Sequence, residues 1–243
     1  MADQAKTAKR VVVVGAHDDD PIIGVGGTLL KRHAKADCIQ MIILTNGENS
    51  HRVVLGVHDC PSPVQVARAR EFELLRALDE FRSIGLAVSR YQWDFPDTCG
   101  VLTSKKEKVK QSMKTALNTF EPDVVYFQAP DAHEDHRLAY HAVSEVLEDV
   151  NFQGETYLYA IWTKELALMR PEVDVSMIEE IPGQVEVVDV RDVLAVKRRA
   201  LHRFTSQIQL WPYLDWQPQE KPILDAGFIR YFLRGEEVIY RVR

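Results

Sequence analysis

Short apolar runs alternate with stretches of helical period along this chain. Residues 10–16, RVVVVGA, are apolar at every position after Arg10, as in a parallel strand buried on both faces. A helix is expected over 24–35 and a second strand over 38–46, CIQMIILTN. Residues 62–82 have helical spacing, with Val66, Leu74, Leu75 and Leu78 towards one side and charges largely elsewhere. A weaker third strand follows over 85–93, then a helix over 104–120 and a fourth strand over 123–129, DVVYFQA. A helix from about 136 to 148 leads to a strand over 156–162. QVEVVDV, at 184–190, predicts another strand, and a helix is expected over 192–206. There is no internal repeat and no Pro/Gly/Ser-rich linker. Alternation of this kind predicts a Rossmann-like α/β fold, a doubly wound and mostly parallel sheet with helices on both faces.

The 243 residues, 46% of them hydrophobic, suit one domain over 1–243 with a full core. The net charge of −6 comes from interspersed acids and bases, which leaves no footprint for nucleic acid. No apolar run has the length of a membrane span, and the first ten residues lack the apolar core of a signal peptide. Cys38, Cys60 and Cys99 are widely spaced and form no C-x-x-C pair, the usage expected of reduced thiols in a cytoplasmic protein.

Two loops at strand ends carry the chemistry, where an open α/β sheet places its ligand site. The first, GAHDDDP at 15–21, sets His17 before three adjacent acids. Capping of the next helix accounts for one of Asp18, Asp19 and Asp20; three mutually repelling carboxylates call for a cation. The second, APDAHEDHRLAYH at 129–141, brings His133 and His136 three residues apart at a helix start. His17, Asp20 and His136 together offer two imidazoles and one carboxylate with a position left for water, the donor set of a hydrolytic zinc site.

The chain resembles the LmbE-like, or PIG-L, N-acetylglucosaminyl deacetylases. Their first motif, Ala-His-Pro-Asp-Asp-Glu followed by Gly-Gly-Thr-Leu, is similar to AHDDDPIIGVGGTL, with Asp18 for the proline and Pro21 for the glutamate. Their His-Pro-Asp-His is similar to HEDH at 133–136, with Glu134 for the proline. LTNGE (44–48), ARARE (67–71), FPD (95–97), VVDV (187–190), Lys197 and SQ (206–207) add to the resemblance, while Phe204 stands at a family histidine. It spans about 10–207, and 208–243 read as a C-terminal extension or tail. The resemblance implies His17, Asp20 and His136 as ligands of one zinc, or another divalent ion, per chain. It implies Asp19 as general base and His133, as imidazolium, as acid or oxyanion stabiliser. Asp135 would orient His133 or fix a ligand's tautomer. The substrate implied is an N-acetylated amino sugar or glycoconjugate, from a free sugar or disaccharide to an antibiotic intermediate or glycolipid headgroup.

Glu48 after the second strand, Arg68 on the 62–82 helix and Asp97 in FPDTCG are candidate substrate contacts. His33, His51, His58, His141 and His202 are not counted as ligands. Trp211, Tyr213 and Trp216 suit a core or a contact between copies of the chain, which makes a homo-oligomer an open expectation. Loop 47–62 and the tail after Gln207 are where substrate selectivity is expected. Gly24, Gly26 and Gly27 do not make a dinucleotide fingerprint, because eight residues separate Gly15 from Gly24. Two other functions stay open: a ferrous oxygenase, since two histidines and a carboxylate also describe its facial triad, and a non-catalytic metal-binding module.

Overall fold

The computed structural model describes residues 8–35, 37–97, 103–168, 173–210 and 212–243; Cys99 and Trp211 lie outside them. Seven strands form one sheet: β1 (Arg10–Gly15), β2 (Cys38–Thr45), β3 (Ala87–Phe95), β4 (Val124–Gln128), β5 (Glu155–Tyr159), β6 (Gln184–Asp189) and β7 (Glu236–Arg241). Their order is β3-β2-β1-β4-β5-β7-β6. The first five are parallel, with Val11 in register with Ile39 on one side and Val124 on the other. Strand order reverses at β1, so the loops leaving β1 and β4 part there and open a crevice.

The helices are α1 (Asp20–Leu30), α2 (Ser50–Leu55), α3 (Pro63–Arg82), α4 (Lys106–Phe120), α5 (Glu134–Asp149), α6 (Lys164–Leu168), α7 (Leu194–Leu201), α8 (Thr205–Ile208) and α9 (Ala226–Tyr231). Val11 and Val13 of β1 face a core shared with α1, α3 and α7, whereas Val12 and Val14 face one shared with α4 and α5. Cover on both faces is why that strand is apolar from Val11 onward. Ser62 begins α3 with a capping box, its side chain bonded by Gln65 N and its own N–H by the Gln65 side chain.

Three expectations need correction. The helix expected over 24–35 starts at Asp20 and ends at Leu30, with a 3-10 turn over Lys31–Lys35; Pro21 suits a first turn, which leaves amides unpaired in any case. The helix expected over 192–206 is two, α7 and α8. The tail from 208 onward supplies α9 and β7, and β7 runs antiparallel between β5 and β6. Tyr213 and Trp216 pack within the chain: their ring centroids are 4.5 Å apart, and His51 meets Trp216 edge-on at 4.8 Å. Among the described residues no helix is long and apolar enough to cross a membrane.

Candidate metal centre and its surroundings

The turn after β1 and the first turn of α1 bring His17 and Asp20 together, and the start of α5 adds His136. His17 Nδ1 lies 3.2 Å from Asp20 Oδ2, His136 Nε2 lies 3.4 Å from His17 Nδ1, and His136 Nε2 lies 3.5 Å from Asp20 Oδ2. Donors about 2.1 Å from a tetrahedral metal stand about 3.4 Å from one another. The triangle therefore fits three corners of such a site. Ligand atoms of His17, His133 and His136 also lie within 4.8 Å of one another, as do those of His17, Asp97 and Asp135.

The nitrogen of each ring that faces away from this triangle is held by carboxylate. His17 Nε2 is 3.2 Å from Asp97 Oδ1 and 3.4 Å from Asp135 Oδ2. His136 Nδ1 is 2.9 Å from both oxygens of Asp131, which also accept the backbone N–H groups of His133, Ile161 and Trp162. Asp20 Oδ2 accepts from Gln128 Nε2 at 2.8 Å and from His17 N at 2.7 Å. Such outer carboxylates fix tautomer and ring direction for a metal ligand.

Asp18, Asp19, Asp20, Asp97, Asp131 and Asp135 are all more than nine-tenths buried. Set against them is one buried guanidinium, Arg70. Its Nη2 donates to Asp19 Oδ1 at 3.0 Å and its Nη1 to Gln207 Oε1 at 3.2 Å. Burial opposes the charge on His136, yet Asp131 and Asp20 push its pKa up to about 9. Burial likewise opposes a charged Asp20, but His136 and His17 hold its carboxyl well below the usual range. Six buried carboxylates still outnumber Arg70 and the two imidazoles, an excess of negative charge that favours a bound cation. A cation held by His17, Asp20 and His136 meets that demand.

His133 is a different histidine. Its Nδ1 accepts the Asp135 backbone N–H at 3.2 Å as the cap of α5, so the ring is the neutral tautomer with its proton on Nε2. Burial, then the charges of His136 and His17, pull its pKa down to about 3. The hydrogen bond accepted at Nδ1 favours a neutral ring over the imidazolium expected from sequence. Asp135 turns its carboxylate to His17 and gives its backbone N–H to His133, and the first contact suits the expected role of fixing a ligand's tautomer.

A cavity of about 130 Å³ opens over His17, Asp19, Asp20, Arg70, His133 and His136. Its wall includes Val53 and Val54 of α2 and Leu224 and Phe228 of the tail, the two regions where selectivity is expected. Arg68 is exposed and lines a neighbouring cavity of about 380 Å³ with Glu48 and Gln92. Gln92 donates to Asp18 Oδ1 at 3.2 Å. Arg70, Asp131 and Gln207 lie within the quoted motifs without a role having been expected of them, and Gln128 lies outside them. Arg70 was within reach of the helical period: it stands four residues from both Val66 and Leu74 on the buried face, and Arg68 does not. Ser206 bonds Glu73 through N and Oγ, both at 2.7 Å, which places Gln207 beside Arg70.

A profile of the PIG-L family, described as GlcNAc-PI de-N-acetylase, matches residues 12–147, more than half of the chain. A diacetylchitobiose deacetylase of Thermococcus kodakarensis is 27% identical over 223 residues, covering 85% of this chain and 75% of its own. Among solved structures, the N,N'-diacetylchitobiose deacetylase of Pyrococcus horikoshii, complexed with its inhibitor MPG, superposes with a TM-score of 0.60 at 22% identity over 82% of this chain and 71% of that one. GalB, the 4-carboxy-2-hydroxymuconate hydratase of Pseudomonas putida KT2440, reaches 0.64 at 16% identity over 93% of this chain and 83% of its own. These two structural likenesses speak to the fold.

Proposed function

The chain belongs to the PIG-L family of de-N-acetylases, hydrolases of N-acetyl amides, and from that premise we propose that it removes acetyl from an amino-sugar-containing substrate with zinc held by His17, Asp20 and His136. The observation that carries this is the triangle of Nδ1, Oδ2 and Nε2, whose sides of 3.2, 3.4 and 3.5 Å suit a tetrahedral ion. Bound there, zinc would supply Lewis acidity and lower the pKa of a water to about 7.

The remaining chemistry belongs to side chains of this chain. Asp19 is the general base: it takes a proton from the attacking water as the C–O bond forms and passes it to nitrogen as the amide C–N bond breaks. Arg70 holds one oxygen of Asp19 and so fixes the direction of the other. His133 offers its Nε2–H to the oxyanion that develops on the carbonyl oxygen. Val53, Val54, Leu224 and Phe228 give the acetyl methyl and the apolar face of a sugar ring a wall to pack on. Asp97 acts on His17, while Glu48 and Arg68 border the neighbouring cavity, which we assign to the more distant part of the substrate. Entry of β7 into the common sheet supports reading 1–243 as one domain.

The test is acetate release from a panel of N-acetylated amino sugars and their disaccharides, with and without a chelator. Release from at least one member, abolished by chelation and restored by zinc, is expected. Full activity in exhaustively metal-free protein, or no acetate from any member by zinc-loaded protein, overturns the assignment.

A further inference from the structure

The helix that delivers Asp20 is broken, and a buried ion pair fills the break. α1 leaves helical geometry at Val25, with φ −134° and ψ 15°. In an unbroken helix the Ile23 carbonyl would accept from Gly27 N, and that of Gly24 from Thr28 N. Here Lys197 Nζ donates to Ile23 O at 2.8 Å. Glu237 takes the two amides instead, Oε1 from Gly27 N at 2.8 Å and Oε2 from Thr28 N at 2.7 Å. Lys197 Nζ and Glu237 Oε1 are 2.7 Å apart. One helical hydrogen bond is thus replaced by a relay of carbonyl, ammonium, carboxylate and amide.

Each charge faces the half-helix end that favours it, the ammonium at a carbonyl and the carboxylate at free amides. The glycines make room for the device. A Cβ on Gly27 would lie 2.7 Å from Val190 and 3.0 Å from Glu237 Oε1, and one on Gly24 would lie 2.3 Å from the Tyr159 ring. Lys197 is wholly buried and Glu237 nearly so. Exchanging a buried ion pair for apolar side chains is often neutral or stabilising, so stability alone does not account for this one. Geometry does, because the carbonyl that Lys197 grips is only three residues beyond Asp20, and Ile23 itself borders the catalytic cavity.

We propose that Lys197 and Glu237 are positioning residues for the metal site: by holding α1 broken they set the direction of its first turn, and with it the Asp20 carboxylate. This rests on Asp20 being a zinc ligand. The test measures zinc affinity of metal-stripped protein, by competition with a chromogenic chelator, well below every variant's unfolding temperature. The variants are Glu237→Gln, the double change Lys197→Met with Glu237→Met, and Asp20→Asn as a control. In the double variant Ile23 O and Gly27 N are free to bond each other and straighten α1.

Affinity about 10–100-fold weaker is expected for Glu237→Gln and for the double variant, the range for partners that orient ligands. The double variant should still unfold cooperatively near the wild-type temperature. A folded double variant with wild-type zinc affinity overturns the positioning role, as does wild-type affinity in Glu237→Gln should the double variant not fold. If Asp20→Asn also binds zinc as wild type does, the ligand assignment itself is wrong; if it alone binds weakly, only the positioning role is.

Discussion

Asp19 and Asp20 are adjacent in sequence and face different partners, Arg70 for the first and the two imidazoles for the second. Substituting each therefore gives a distinct phenotype. Asp19→Asn keeps size and reach but accepts no proton at neutral pH; bound zinc should stay at about one per chain while kcat falls about 10²–10⁴-fold. Asp20→Asn should lose zinc. Metal content and initial rates of the purified variants check both, and wild-type turnover in Asp19→Asn would remove it from the mechanism. His133→Ala should lower kcat by about 10²–10³ with zinc retained; loss of zinc from that variant, measured by metal analysis, would make His133 a ligand. The proposed donors stood out as candidates because histidines and acids at strand ends have few structural uses. Asp131 was not: Pro-Asp after a strand also makes an ordinary turn, and only the fold shows both oxygens on His136.

At the scale of elements, α2 roofs the cavity, with His51 beneath it against Trp216. Burial, then the charge on Arg70, pulls the His51 pKa down to about 4, against about 6.5 in an unfolded chain. Between those values the unfolded chain binds the proton more readily. The stability from neutral His51 is therefore full above about pH 6.5 and lost as pH falls through about 4. We expect His51→Phe to remove about 1–3 kcal/mol of this acid sensitivity, seen by comparing urea unfolding of variant and wild type from pH 8 to pH 4. An equal pH dependence in both would exclude His51 as its source. Six residues are too few to display a helical period, which is why 47–62 read as a loop. The start of α1 was hidden differently: the glycines that accommodate the ion pair resemble a helix beginning at 24, while the chain turns helical at Asp20.

At the scale of the molecule, the sheet is held together on one side by a strand from the tail. β7 separates β5 from β6 and hydrogen-bonds to both. Removing residues 226–243 should therefore abolish a single cooperative thermal transition, checked by circular dichroism. A transition within a few degrees of the full chain would show that β7 is dispensable. Parallel strands with helical crossovers were readable from residue 10 to 159, since the central apolar runs need cover on both faces. EEVIYR was not, because the alternation that marks a strand is broken by Glu237, a charge whose burial is met by Lys197 and the Gly27 and Thr28 amides.

That strand also bears on the order in which the protein comes to life. The three proposed zinc donors, His17, Asp20 and His136, leave the ribosome long before Glu237 does. Pairing of β5 with β7 closes a long loop, the kind of contact that forms late. A nascent chain at that stage carries every ligand without the carboxylate that keeps α1 broken. If the three residues hold zinc as proposed, metal loading is expected to follow synthesis instead of accompanying it, and a chain released before β7 should bind the ion more weakly than the full one.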